Sequence, residues 1–119
     1  MSIEIIDVSA GVLTFKVTGR LNQAEFAASQ KRAGEIIQQQ GKVRFLVLVE
    51  NLTSIDKAGD WGNVSFQADH DPFIEKIAII GDKKWEDVAL MFTGKGIRRV
   101  PIEYFLPADL VNAKAWLAA

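Results

Sequence analysis

The stretch "ADHDPF", residues 68–73, holds the chain's only histidine, His70, between Asp69 and Asp71. An imidazole flanked by two carboxylates has the donor atoms for a metal ion or a general base. Adjacent residues on one segment rarely converge on one ion, however, and Pro72 marks a turn. The plainer expectation is a helix end with solvated charges. No Ser-His-Asp order is recognisable elsewhere, and the glycines of "GDKKWEDVALMFTGKG" lack nucleotide-binding spacing. With no cysteine in the chain, disulfides, thiolate catalysis and zinc-thiolate sites are excluded. The residues predict no enzyme, no cofactor and no metal.

A second stretch, "NLTSIDKAGDW" at residues 51–61, follows the most apolar run in the chain. Loops at the ends of buried strands are where α/β domains place their working residues. This one offers Asp56, Lys57, Ala58 and Gly59, and the expected role of Asp56 is to hold a turn or cap a helix. A third group is aromatic and basic. Trp61 and Phe66 follow the loop. Trp85, Val88, Ala89 and Phe92 form a helical stripe, leaving Leu90 and Met91 to point elsewhere. Lys83, Lys84, Lys95, Arg98 and Arg99 flank that stripe. Such side chains either complete a core, or cover an apolar cavity or meet a membrane surface.

The elements that must position these residues are legible in the periodicity. Residues 3–8 and 12–19 read as strands joined by "SAG" in an antiparallel hairpin, with Leu13, Phe15 and Val17 on one face. Residues 21–41 read as a helix, with Asn22 and Glu25 in a capping box and Phe26, Ala33, Ile36 and Ile37 facing inward. Gly34 weakens that helix, for which close packing is the natural reason. Residues 43–50 form a nearly continuous apolar run, the mark of a central parallel strand. A poor helix over 57–70, a strand over 74–81 and a helix over 82–94 capped by Asp82 follow. A strand over 97–105 and a closing helix from Pro107, with Leu110, Ala113 and Leu117 inward, complete the chain. The order ββαβαβαβα predicts an α/β fold with a mixed, mostly parallel five-stranded sheet and four helices in one domain, residues 1–119.

Composition adds limits. The chain has 119 residues, 49% of them apolar and 24% charged, with a formal net charge of -1. That is enough apolar material for one core, and it gives no electrostatic case for nucleic acid. The first residues resemble no signal peptide, and no apolar run approaches a membrane span. A cytoplasmic protein, with at most peripheral membrane contact, is the expectation.

The stretches "VTGRLNQAEF", "VRFLVLVENLTSIDKAG", "KIAIIGDKKWEDVA" and "IEYFLPADLVNAKAWL", in this order, resemble the STAS domain, and in detail its SpoIIAA-like branch of small bacterial proteins. In partner-switching members the loop after the central strand carries an Asp-Ser-Ser-Gly-like motif whose serine is phosphorylated. Here the matching positions are Asp56, Lys57, Ala58 and Gly59. Both serine positions are occupied by residues that cannot be phosphorylated, while Thr53 and Ser54 precede the motif. The SpoIIAA-like branch also resembles the CRAL-TRIO lipid-binding fold. That resemblance implies Trp61, Val64, Phe66, Trp85, Val88 and Phe92 as pocket or lid residues, with Gly59 and Gly62 giving the first lid helix freedom to move.

The leading expectation is thus a module that binds a small hydrophobic or lipid-like ligand. Lys83, Lys84, Leu90, Met91 and Lys95 are its expected membrane contacts. The alternative is a protein–protein interaction module related to anti-sigma factor antagonists, using residues 51–60 and the helix after them. A homodimer is compatible with both.

Overall fold

The computed structural model describes residues 2–59, 61 and 65–119. The chain runs β1 (Ile3–Ser9), β2 (Val12–Leu21), α1 (Gln23–Gln40), β3 (Val43–Ile55), α2 (Ser65–His70), β4 (Ile74–Ile80), α3 (Glu86–Thr93), β5 (Ile102–Phe105) and α4 (Leu110–Ala118). Short 3-10 turns at Asp71–Phe73, Lys83–Trp85 and Pro107–Asp109 lead into β4, α3 and α4. The sheet order is β1-β2-β3-β4-β5, antiparallel between β1 and β2 and parallel thereafter. The predicted α/β class, five-stranded sheet and four helices are all present.

Strand order that follows chain order has a consequence. Right-handed crossovers that all step the same way place α1, α2 and α3 on one face of the sheet. The packing agrees. Phe15, Phe45, Ile77 and Ile79 of the sheet join Ala33, Ile36 and Ile37 of α1, with Phe66 of α2 and Ala89 and Leu90 of α3 packed against them. The alternate residues Leu46, Ala78 and Ile80 face the other way and meet Ala113 and Leu117 of α4. β3 and β4 are therefore apolar on both faces, which is why β3 reads as a continuous apolar run.

Local chemistry explains the ends of the elements. Ala10 and Gly11 both take positive φ (52° and 76°) in a two-residue hairpin turn between Ser9 and Val12, the twist that suits a β-hairpin. At the start of α1 the Asn22 side chain accepts from the Glu25 backbone N–H at 2.9 Å. Glu25 Oε1 in turn accepts from Asn22 Nδ2 (2.7 Å) and from the Ser2 hydroxyl (2.7 Å) and backbone N–H (3.1 Å). The capping box thus also ties down the N-terminal strand. Lys76 donates to the carbonyls of Trp116 (2.7 Å) and Ala119 (2.9 Å), a cation at a helix C-terminus, and so anchors α4 to β4.

Four boundaries differ from the sequence expectation. β3 extends to Ile55, because Gly19, Arg20 and Leu21 of β2 offer it further pairing partners (Leu52, Ser54 and Ile55) past a register shift. Of the helix expected over 57–70, α2 covers Ser65–His70, residues 57–59 and 61 are not helical, and residues 60 and 62–64 lie outside the described residues. Asp82 precedes a 3-10 turn and its side chain makes no capping bond. β5 begins only at Ile102, and residues 97–101 form turns and bends instead of strand.

Gly34 has the role expected of it. An added Cβ there would lie 2.9 Å from Nε2 of His70, whose ring stacks on Phe66 at 4.5 Å and whose Nδ1–H donates to the Phe66 carbonyl at 3.0 Å. The missing methyl is what lets α2 dock on α1. Alanine at this position brings a helix-propensity gain of about 1 kcal/mol, opposed by the His70 contact. Gly34→Ala is therefore expected to lower the melting temperature in the wild-type background and to raise it in a His70→Ala background. Equal shifts in the two backgrounds, measured by thermal denaturation, would show that His70 does not set the cost.

Candidate functional site

Between the sheet and the three helices on its crossover face lies an apolar cavity of about 150 Å³. Phe15, Val17, Val47, Val49 and Ile79 form its floor. Phe26 and Ala33 of α1 make one wall, Phe66 and Gln67 of α2 another, and Trp85, Val88, Ala89 and Phe92 around α3 close it. The floor follows from strand alternation and the α3 wall from the helical stripe, which returns every three to four residues. A neighbouring outer groove is lined by Gln23, Ala27, Lys31, Trp61 and Ser65, and shares Phe26, Gln30, Phe66, Gln67 and Phe92 with the cavity.

The residues expected to line a pocket divide between these two spaces. Phe66, Trp85, Val88 and Phe92 border the inner cavity. Trp61 borders the outer groove and sits in a turn before α2, not in a helix. Its indole N–H donates to the Asp56 carbonyl at 2.8 Å. Its ring packs against Phe26 (5.4 Å) and edge-on against Phe92 (5.2 Å), joining three separate segments in one aromatic row. Val64 and Gly62 lie outside the described residues.

The expected membrane contacts also divide. Met91 is 71% exposed, but Leu90 turns inward and packs against the core, because it falls one helical turn before the αL cap at Gly94, on the sheet side. Lys83 is exposed, Lys84 lies 5.8 Å above the Trp85 ring, and Lys95 pairs with Glu103 at 3.3 Å. Arg98 leaves the basic flank altogether. Its Nε donates to Asp71 at 3.0 Å and its Nη1 to the Thr93 carbonyl at 3.0 Å, so it closes the C-terminal end of α3 and lines the cavity. Asp71 is thereby directed at Arg98 while the His70 ring faces Gly34, and the "ADHDPF" side chains diverge.

Two features were not read from the sequence. Gln67 occupies a six-residue helix too short for periodicity to assign its face. Ile97 is 91% exposed in the turn that replaces the expected strand. Gln30 left a signal that could have been read. It lies on the stripe of Phe26, Ala33 and Ile37, a polar residue on the apolar side of α1.

The loop after β3 is a turn built on Asp56. Its carboxylate accepts from the Ala58 N–H at 3.0 Å and lies 3.5 Å from Arg20. Gly59 takes φ +103°, and a Cβ there would fall 2.7 Å from Cβ of Gln23. It serves a positive φ and a close approach to α1. Lys57 and Ala58 are exposed and carry no hydroxyl. The Ala58 N–H, assisted by Arg20, holds the Asp56 carboxyl below its ordinary value of 3.8. A lowered carboxylate stabilises the fold above its unfolded value, and that contribution disappears as pH falls through the lowered folded value. An NMR titration of Asp56 is expected to give a midpoint below 3.8, moving upward in Arg20→Ala. A midpoint at or above the ordinary value would show that the turn does not hold the ionised form.

With this geometry the chain can be compared with known proteins. No curated protein matches it. A solved structure with a similar fold is that of an uncharacterised DUF3478-family protein with a SpoIIAA-like fold from Shewanella loihica PV-4. It superposes with a TM-score of 0.71 at 18% identity, covering 97% of this chain and 91% of that one. At that identity the likeness speaks for the fold alone. The SpoIIAA-like family model matches residues 12–118, from the first residue of β2 to the last of α4, and on that match the chain belongs to the SpoIIAA-like family.

Proposed function

We propose that this protein is a non-enzymatic module that takes a small apolar ligand into the cavity beneath α2 and α3. The single observation that carries this reading is the cavity itself, about 150 Å³ and walled almost wholly by aromatic and aliphatic side chains. An apolar cavity of about this size stays dry and admits benzene. Its volume suits one ring, or the end segment of a chain of about six carbons. A whole acyl lipid requires α2 and α3 to move apart. Binding replaces lost contacts along the cavity lining and removes ligand surface from water at about 25 cal/mol per Å², less the cost of immobilising the ligand.

The cavity's outer edge suits brief contact with a membrane, the natural source of such ligands. Phe92 lines the cavity and is exposed, and Met91 and Ile97 on the same segment and Lys83, Lys84 and Arg99 flanking it in sequence are exposed too. Lys95 and Arg98 are engaged by Glu103 and Asp71, and Glu86 and Asp87 sit on the same helix. At about 1 kcal/mol per basic residue near an anionic surface, so few free cations give weak, reversible and salt-sensitive association.

Native mass spectrometry of freshly purified protein, followed by extraction, tests the ligand reading. The expected result is an added mass from an apolar molecule, or uptake of benzene by the empty protein. Val88→Phe, which fills the cavity, should cut that uptake about tenfold or more while leaving the fold intact. Protein that carries nothing and gains no mass with benzene or fatty acids would defeat the proposal. Co-sedimentation with anionic vesicles tests the membrane contact. Binding is expected at low salt, and Met91→Asp with Ile97→Asp should abolish it. Binding unchanged by salt and by both substitutions would place the contact elsewhere.

A further inference from the structure

Three of the polar side chains around the cavity, Ser29, Thr93 and Arg98, are engaged by other protein groups. The Ser29 hydroxyl donates to the Ile3 carbonyl at 3.4 Å, and the Thr93 hydroxyl donates to the Ala89 carbonyl at 2.8 Å. Arg98 is held by Asp71 and the Thr93 carbonyl. Gln67 differs. Its side-chain Oε1 is buried and has no hydrogen-bond partner among the described residues. A buried acceptor left unmatched carries its full desolvation cost, so native proteins rarely keep one without a reason. Gln67, like Gln30, borders both the inner cavity and the outer groove.

We infer that Gln67 Oε1 is the polar determinant of the site, and that the ligand is a small apolar molecule bearing one hydroxyl group, such as a phenol or a short alcohol. This rests on the reading that the cavity takes a ligand, and it adds the ligand's chemistry. An acceptor selects a donor. Ser29, Thr93 and Arg98 are already engaged and the rest of the lining, apart from the Gln30 amide, is apolar, so a ligand with several polar groups would bury most of them unmatched. The amide oxygen is sealed from solvent at rest. The terminal torsion of glutamine is broad, and a modest rotation of the amide meets a hydroxyl in the cavity. The orphaned acceptor then becomes satisfied only when the right ligand is present, which is how a polar group in an apolar pocket discriminates against isosteres.

Phenol and toluene make the test, since they share a shape and differ in the hydroxyl. Their affinities are measured by calorimetry for wild type and for Gln67→Met, and the ratio of ratios cancels their different hydration. The substitution is expected to weaken phenol about tenfold relative to toluene and to leave the melting temperature unchanged or higher. A phenol-to-toluene ratio unaltered by the substitution overturns the inference while leaving the cavity reading intact. Failure of wild type to bind either molecule overturns both. A second readout needs no variant. The side-chain carbonyl carbon of Gln67 should shift with phenol and not with toluene by NMR, and a response equal for the two ligands also overturns the inference.

Discussion

The structure depends on one topological constraint. Four parallel strands laid down in chain order send all three crossover helices to the same face, so that face must be covered by whatever helices the crossovers contain. α1 is long enough, at 18 residues, to cover β1 and β2. α2 and α3 have six and eight residues, roughly 9 and 12 Å of helix. The cavity lies beneath these two short helices. On the opposite face the fit is close, because α4 presents Ala113 and Leu117 directly to Leu46, Ala78 and Ile80.

Helices this short do not hold themselves together. α2 and α3 are kept in place by contacts at their ends. Trp61 fastens the approach to α2 through the Asp56 carbonyl, and His70 fits its far end into the gap at Gly34. Arg98 closes the end of α3 against Asp71. Tyr104 donates to the Asp82 carbonyl at 2.6 Å at the start of the same segment. Burial, with the charges of Glu86 and Asp82, pushes the Tyr104 hydroxyl up to about 12, so it remains a donor at ordinary pH. Elements tied at their ends and packed loosely between them are the ones that open at low cost.

The loop after β3 is tied to the aromatic row by hydrogen bonds. The Asp56 turn is fixed by backbone and by Arg20, and it also carries the carbonyl that anchors Trp61. Lys57 and Ala58 are exposed beside it. Through Trp61 the turn is in contact with Phe92 at the cavity edge.

The sequence by itself determined the element order, the fold and the α3 stripe of Trp85, Val88, Ala89 and Phe92, because periodicity is a local property of buried strands and helices. It also determined that Asn22 and Glu25 cap α1 and that Gly34 marks a close contact. Only the tertiary structure decided what depends on pairing and distance. β3 runs to Ile55 because β2 offers partners, and residues 97–101 leave the sheet although their composition suits a strand. Leu90 turns inward, Arg98 turns away from solvent, and the amide of Gln67 is left without a partner at the cavity wall. Each of these outcomes is set by which residue lies opposite across a packed interface. One-dimensional spacing cannot express that.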